Sequence, residues 1–171
     1  RKGVDEEVKG TLRGTAYHRF FEILNYDCCK DYNSIEKYLK TSVAAGKISE
    51  EYAGLINLKR FEEFLQTDLG KRMGSAYKKG LLFREQPFIM ELGADMIDKE
   101  YPSDEKILVQ GIVDAFFFED DKVYIVDYKT DRVEQGKAGE KALVERYHKQ
   151  LELYADTISR VTGKETGGCY I

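Results

Sequence analysis

Residues Val109–Thr130 read VQGIVDAFFFEDDKVYIVDYKT. Two arms rich in Val, Ile, Phe and Tyr flank an acidic bend, which predicts a β-hairpin with arms Val109–Phe118 and Val123–Lys129. Three charges interrupt the apolar arms: Asp114, Asp127 and Lys129. A two-residue turn at Asp120–Asp121 pairs Glu119 with Lys122, and a four-residue loop pairs Phe118 with Val123. Both place Asp114 opposite Asp127, whereas a three-residue loop would change the register. Opposed residues share a face with Cβ atoms about 4.5–5.5 Å apart. Lys129, two residues beyond Asp127, falls on the same face, beside Ile112, Phe116 and Ile125. Facing carboxylates repel, and a hard divalent cation such as Mg²⁺, which prefers oxygen ligands, relieves that repulsion.

The segments before the hairpin are mainly helical. Val4–Gly10 reads as a loose lead-in, followed by a helix over Ala16–Asn25 with Thr15 as its cap and Tyr17, Phe20, Phe21 and Leu24 as its apolar stripe. His18 lies on another face. It has two readings: a surface imidazole paired with Glu22 one turn on, or a metal or active-site ligand. Residues 33–80 read as a helical insertion or cap. Its helices are expected at Asn33–Ala45, capped by Asn33 or Ser34, then at Ser49–Ile56 and Leu58–Gln66, capped by Ser49 and Asn57, and at Lys71–Lys79, with Thr67–Gly70 as a break. Lys59, Arg60, Lys71, Arg72, Lys78 and Lys79 are scattered along it, as a solvated face or a polyanion path. Leu81–Leu92 is a strand that Pro87 confines to an edge or a bulge. Glu85 is then a surface charge or a further acid near the metal.

After the hairpin, Asp131–Gly136 reads as a polar connector. A long helix, Lys137–Val161, follows with the stripe Leu143, Tyr147, Leu151, Tyr154 and Ile158 and with Gln150 at its edge. Gly163 ends it, and Gly168–Ile171 begins another strand. The order predicts a mixed α/β sandwich.

At 171 residues, with 42% apolar and 12% aromatic residues, the chain fits one domain with a genuine core. A net charge of −4 argues against a general basic coat for nucleic acid but leaves room for a local basic groove. No run of about 18 apolar residues reads as a membrane span. Cys28, Cys29 and Cys169 form neither a disulfide framework nor a metal spacing, so a reducing cytoplasm is expected. The chain starts without Met and ends within an expected strand, which reads as a piece of a larger protein. No Walker-type phosphate loop, G-x-S-x-G or H-E-x-x-H occurs, which leaves out a nucleotide motor and the common hydrolase nucleophiles.

Asp114, followed after twelve residues by Asp127-Tyr128-Lys129, resembles the acid-then-(D/E)-x-K signature of the PD-(D/E)XK nucleases. Three segments sharpen the likeness to the RecB-type branch. Gly14–Glu22 is similar to its G-T-x-x-H-x-x-x-E helix, Asp127–Thr130 to its D-Y-K-T strand, and Arg146–Tyr154 to its Q-L-x-x-Y helix. The signature's Pro is replaced by Val113, as is common in that branch. Within it the chain most resembles the C-terminal nuclease domains of the AddA helicase–nuclease family. The sibling protein's domain carries an iron–sulfur cluster on four cysteines, which three cannot supply.

The resemblance implies a restriction-endonuclease-like mixed sheet flanked by helices, with 33–80 inserted. It implies Mg²⁺-dependent hydrolysis of DNA, with Mn²⁺ as an alternative ion, during processing of double-strand ends for recombinational repair. Asp114, Asp127 and Lys129 would be catalytic. His18, Asp114, Asp127 and the backbone carbonyl of Tyr128 would hold the metal. Gln150 and Tyr154, and less directly Glu85, would contact substrate or support the ligands. The implied partners are DNA, an AddB-like protein and a helicase portion of the same chain, through which alone ATP would enter. A silent DNA-binding scaffold and a CRISPR-associated nuclease of the same branch are the competing readings.

Overall fold

Alternating apolar strands between amphipathic helices build a three-layer arrangement. The computed structural model describes residues 2–94, 100, 102, 104–129 and 137–171. Its elements are α1 (Lys2–Ile23), α2 (Tyr32–Ala44), α3 (Glu50–Gly54), α4 (Leu58–Gln66), α5 (Asp68–Lys78), β1 (Leu82–Gly93), β2 (Lys106–Glu119), β3 (Lys122–Val126), α6 (Lys137–Thr162) and β4 (Glu165–Tyr170). The sheet order is β1-β2-β3-β4, with β1, β2 and β3 antiparallel in turn and β4 parallel to β3. The single parallel pair follows from the α6 crossover, because a parallel neighbour needs a long return connection. The expected mixed sheet flanked by helices is the one observed.

The hairpin closes through the two-residue turn. Asp120 and Asp121 have φ of 49° and 64°, and Glu119 pairs with Lys122. Left-handed φ at both central residues is the turn whose twist matches the strands. The register then runs back through Phe118–Val123 and Phe116–Ile125 to Ala115–Val126. Asp114 and Asp127 stand one step beyond the last ladder pair, in the predicted alignment. Past Val126 the chain leaves β2 for β4: the Asp127 amide donates to the Tyr170 carbonyl at 3.0 Å.

Helices cover both faces of the sheet. On one face Ala115, Phe117, Val126 and Tyr128 pack against α1 and the helices α2–α5, around Phe20, Phe61 and Met73. On the other, Val113, Phe116, Val123 and Ile125 meet Leu151, Tyr154 and Ile158 of α6. Five consecutive residues, Val113–Phe117, are therefore buried, as expected for strands covered on both sides.

The facing of β2 reverses at one level. Phe116 faces α6, and so does Val113, three residues earlier, where strict alternation would send it to the opposite side. Glu85, level with Asp114 in the β1–β2 register, has φ of 49°, rare for a residue with a side chain. Beyond this row Ile112 is 51% exposed. It is therefore not part of an apolar wall around the acids, which corrects the expectation drawn from uniform alternation.

Several helix boundaries differ from those read in sequence. α1 begins at Lys2, so Thr15 is inside the helix and its hydroxyl donates to the Thr11 carbonyl instead of capping. Asp31, not Asn33 or Ser34, caps α2, and the Ser34 hydroxyl returns the bond in a capping box. Ser49 and Asn57 cap α3 and α4 as expected. Thr67 caps α5, so 67–70 is a corner between two helices. Gly70 is there for contact: a Cβ on it would lie 2.2 Å from the Phe64 carbonyl oxygen. Pro87 does sit on an edge strand. β4 begins at Glu165, three residues before the expected start. The connector expected at Asp131–Gly136 and most of the loop expected at Gly93–Asp104 lie outside the described residues. No helix among the described residues is long and apolar enough to cross a membrane.

Arg72, one of the scattered basic residues, is taken up by the fold. Its guanidinium pairs with Glu119 at 2.7 Å, donates to the Tyr170 hydroxyl at 2.6 Å and lies 4.3 Å from the Tyr124 ring centroid. The cysteines are free, and burial pushes the Cys29 thiol up to about 12.

Candidate active site

Three acids lie level across the sheet, Glu85 on β1, Asp114 on β2 and Asp127 just past β3. The register that sets the hairpin and the β1–β2 pairing produces this row. α1 brings His18 to it. Nδ1 of His18 is 3.4 Å from Asp114 Oδ1 and 3.8 Å from Glu85 Oε1. Nε2 is 2.8 Å from the Tyr128 carbonyl oxygen, and as the protonated nitrogen it donates there. His18 does not pair with Glu22, which binds Arg19 at 2.5 Å.

The ligand atoms of His18, Glu85 and Asp114 lie within 4.8 Å of one another and are a group that could hold a metal ion. With Nε2–H committed to Tyr128, Nδ1 turns a lone pair towards two carboxylates. That set needs positive charge between its members, either a proton or a cation. A hydrogen bond donated to the Asp114 carboxylate raises the His18 pKa above its ordinary 6.5, even though burial opposes it. Burial raises Glu85, and the neighbouring Asp114 charge adds to the effect.

Asp127 and Lys129 form the second half of the site. Asp127 is 1% exposed, and Lys129 Nζ is 2.7 Å from its Oδ2. Its Oδ1 is buried and has no hydrogen-bond partner among the described residues. Burial raises the Asp127 pKa, Lys129 opposes the shift and Asp114 adds to it. Burial works against the Lys129 charge, but Asp127 more than offsets it, so the Lys129 pKa lies above its ordinary value. The ammonium also rests 4.4 Å from the Tyr147 ring centroid on α6. A buried anionic oxygen without a partner is one that a cation could satisfy.

The two halves are joined through the backbone. The Tyr128 amide donates to Asp114 Oδ2 at 2.7 Å. The Tyr128 ring lies flat on Phe21, centroids 3.9 Å apart and planes 6° apart. That stack aims the Tyr128 carbonyl at α1. On α6, Gln150 Nε2 donates to the Tyr154 hydroxyl at 2.6 Å. Tyr154 is buried against Phe88 with ring centroids 5.6 Å apart. Burial raises its pKa, with smaller contributions from Asp127 and Asp114. Gln150 and Tyr154 contact each other and Phe88 on the α6 side, while His18, Glu85, Asp114, Asp127, Lys129 and the Tyr128 carbonyl form the site. Glu85 stands nearer its centre than expected, against both His18 and Asp114.

One residue escaped the sequence reading. Arg84 donates from Nη1 to the carbonyls of Phe21 at 3.1 Å and Leu24 at 2.6 Å, and its guanidinium lies 5.3 Å from the Tyr77 ring centroid. It ties the carboxyl end of α1 to β1 and so sets His18 against Glu85. A lone arginine inside an apolar strand was the available signal.

A family model described as PD-(D/E)XK nuclease superfamily matches residues 1–170. Among curated proteins, the chain is 33% identical over 171 residues to the A-type component of an ATP-dependent helicase/nuclease from Clostridium perfringens, covering 97% of this chain and 13% of that protein. The corresponding protein of Clostridioides difficile is 34% identical over 169 residues, covering 93% and 13%. That of a Thermoanaerobacter species is 37% identical over 172 residues, covering 97% and 14%. The chain thus spans about one seventh of these relatives. With the acidic row, the paired lysine and the family match along nearly the whole chain, the chain belongs to the PD-(D/E)XK nuclease superfamily.

Proposed function

We infer that this domain hydrolyses phosphodiester bonds in DNA with a divalent cation, Mg²⁺ or in its place Mn²⁺, as the nuclease unit of an AddA-type helicase–nuclease. The observation that carries this reading is the row Glu85–Asp114–Asp127, with an orphaned Asp127 oxygen at one end and His18 at the other. The family is metal-dependent, and the donor set is of the hard oxygen-and-imidazole type that suits such ions. Asp114, Asp127, His18 and the Tyr128 carbonyl would hold the cation, with Glu85 against the same set. When bound, the cation polarises the scissile phosphate and lowers the pKa of attacking water.

The remaining chemistry belongs to the chain. Lys129, held charged by Asp127, places a fixed ammonium where phosphate charge accumulates. Glu85, whose pKa burial raises, is suited to hold a proton. His18 would offer Nδ1 to the cation, with Nε2 on the Tyr128 carbonyl fixing the ring. Gln150 and Tyr154, coupled to each other, line the α6 side and orient the phosphate. Asp114, Asp127 and Lys129 are thus the catalytic set, and residues 33–80 are read as a helical insertion within one nuclease domain.

Processing of double-strand ends for recombinational repair, an AddB-like partner, a helicase portion supplying ATP-driven movement and a cytoplasmic setting belong to the same reading. They rest on the helicase/nuclease relatives, of which the chain spans a small part. Degradation of labelled linear DNA by the full chain with Mg²⁺ tests the assignment. Asp127→Ala is expected to abolish it, as is EDTA. Equal degradation by both forms would refute the site.

A further inference from the structure

Lys129 is held by groups from two different parts of the chain. It lies just past the end of β3, and its side chain is 17% exposed. The ammonium meets Asp127 Oδ2 at 2.7 Å. It also lies 4.4 Å from the centroid of the Tyr147 ring, which comes from α6. The packing of that helix places the ring. Tyr147, Leu151 and Tyr154 are spaced by four and then three residues, so they share one face of α6. Leu151 and Tyr154 are buried against Val113, Phe116, Val123 and Ile125 of the sheet. Their burial fixes α6 on the sheet, and the half-buried Tyr147 continues the same stripe out to Lys129.

We propose that Tyr147 is a positioning residue of this centre, its ring keeping the Lys129 ammonium beside the acidic row when Asp127 is shared with a cation. The two holds on Lys129 respond differently to such an ion. A divalent cation on Asp127 draws on the same carboxylate that pairs with Lys129, and it repels the ammonium directly. The ring attracts the ammonium through the negative face of its π-system and offers the ion no carboxylate to claim. Its hold therefore persists when the ion pair weakens. An aliphatic side chain in its place would leave the flexible lysine stem to choose its rotamer against solvent. A carboxylate there would pair with Lys129 but add another ligand for the ion. With Asp127 and the ring on either side, the small exposed part of Lys129 is what remains to meet a phosphate. A partly desolvated contact of this kind is worth about two- to thirtyfold in a rate. The inference rests on the acidic row being the nuclease centre.

The test follows the lysine side chains of the full chain, labelled with ¹³C, by NMR in EDTA and then in Mg²⁺, with Lys129→Met assigning the resonance. An ammonium-bearing methylene over a ring face is shifted upfield by the ring current. The Lys129 ε-protons are expected upfield of the other lysines in both solutions, in the wild type and in Tyr147→Phe. In Tyr147→Leu they should return to the ordinary lysine position. Cleavage of linear DNA is measured beside this. Tyr147→Leu should lower kcat by about tenfold with KM for DNA unchanged, and Tyr147→Phe should restore the wild-type kcat. A Lys129 resonance at the ordinary position in the wild type with Mg²⁺ would overturn the proposal, as would wild-type kcat in Tyr147→Leu or a kcat as low in Tyr147→Phe as in Tyr147→Leu. If Tyr147→Leu does not fold, the wild-type resonance and the Tyr147→Phe rate decide. Asp127→Ala is assayed in parallel. Cleavage that needs Asp127 but is indifferent to the ring refutes the role of Tyr147 alone. Cleavage that survives Asp127→Ala refutes the nuclease centre itself.

Discussion

Asp127→Asn is expected to stabilise the chain in the absence of divalent ions and to destabilise it relative to the wild type in their presence. Asp127 is 1% exposed, and its Oδ1 meets no donor among the described residues. A buried polar group left unsatisfied costs about 1–3 kcal/mol. The amide keeps an oxygen for Lys129 and loses the charge, so part of this gain is offset by a weaker pairing. A net gain of about 1 kcal/mol is expected, which for a chain of this size is roughly 2–4 °C in Tm. The pH dependence follows from the raised Asp127 pKa. The folded state favours the protonated acid, so ionisation costs stability above the folded pKa, and the cost vanishes below the ordinary 3.8. The advantage of Asp127→Asn in EDTA should therefore be full above the folded-state pKa and absent below 3.8. A bound cation reverses the order. Ligand at a hundredfold excess over Kd stabilises by about 2.7 kcal/mol, and only the wild type keeps the anionic ligand for it. Calorimetric melts of both forms in EDTA and in Mg²⁺ read this directly. A lower Tm for the variant in EDTA would mean that Oδ1 is not an orphan, and equal Mg²⁺ shifts in the two forms would place the ion elsewhere.

Other expectations follow from the same geometry. Without metal, the raised His18 pKa contributes stability that is full below its ordinary 6.5 and lost as pH rises through the folded value. Nuclease activity should run the other way, falling as pH drops through that value, and His18→Gln should flatten the stability component; a stability profile unchanged by that substitution would refute the pairing with Asp114. Phe117→Ala, at a fully buried ring between Tyr124 and Arg72, should cost about 3–5 kcal/mol in urea melts. Gly70→Ala should destabilise by separating α4 from α5, because its Cβ would meet the Phe64 carbonyl, and a neutral result would refute the tight corner.

The hairpin was legible because its register depends on local turn chemistry and a period of two, and both act within about twenty residues. That placed Asp114 opposite Asp127 and Lys129 beside it. The convergence of His18 and Glu85 on the same row was not legible from periodicity. Glu85 reaches it through a left-handed backbone that no glycine announces, and the facing of β2 reverses at the same level, which removed Ile112 from the site. Gly70 read as a helix break because glycine usually is one, yet here the tertiary approach of two helices requires it. The early start of α1 was missed for a related reason. Gly10 and Gly14 weaken local propensity, while α1 is held from its other end by Arg84 and by the packing of Phe20 and Phe21. Segment order, the α6 stripe and two of the helix caps needed no tertiary information.

The most direct test of the central claim is anomalous diffraction from crystals of the chain soaked in Mn²⁺. The account predicts one strong peak between Asp114 and Asp127, at about 2.0–2.3 Å from carboxylate oxygens of both, on the side that His18 Nδ1 faces. A chain that cleaves DNA with Mn²⁺ yet shows no peak at that row would contradict it.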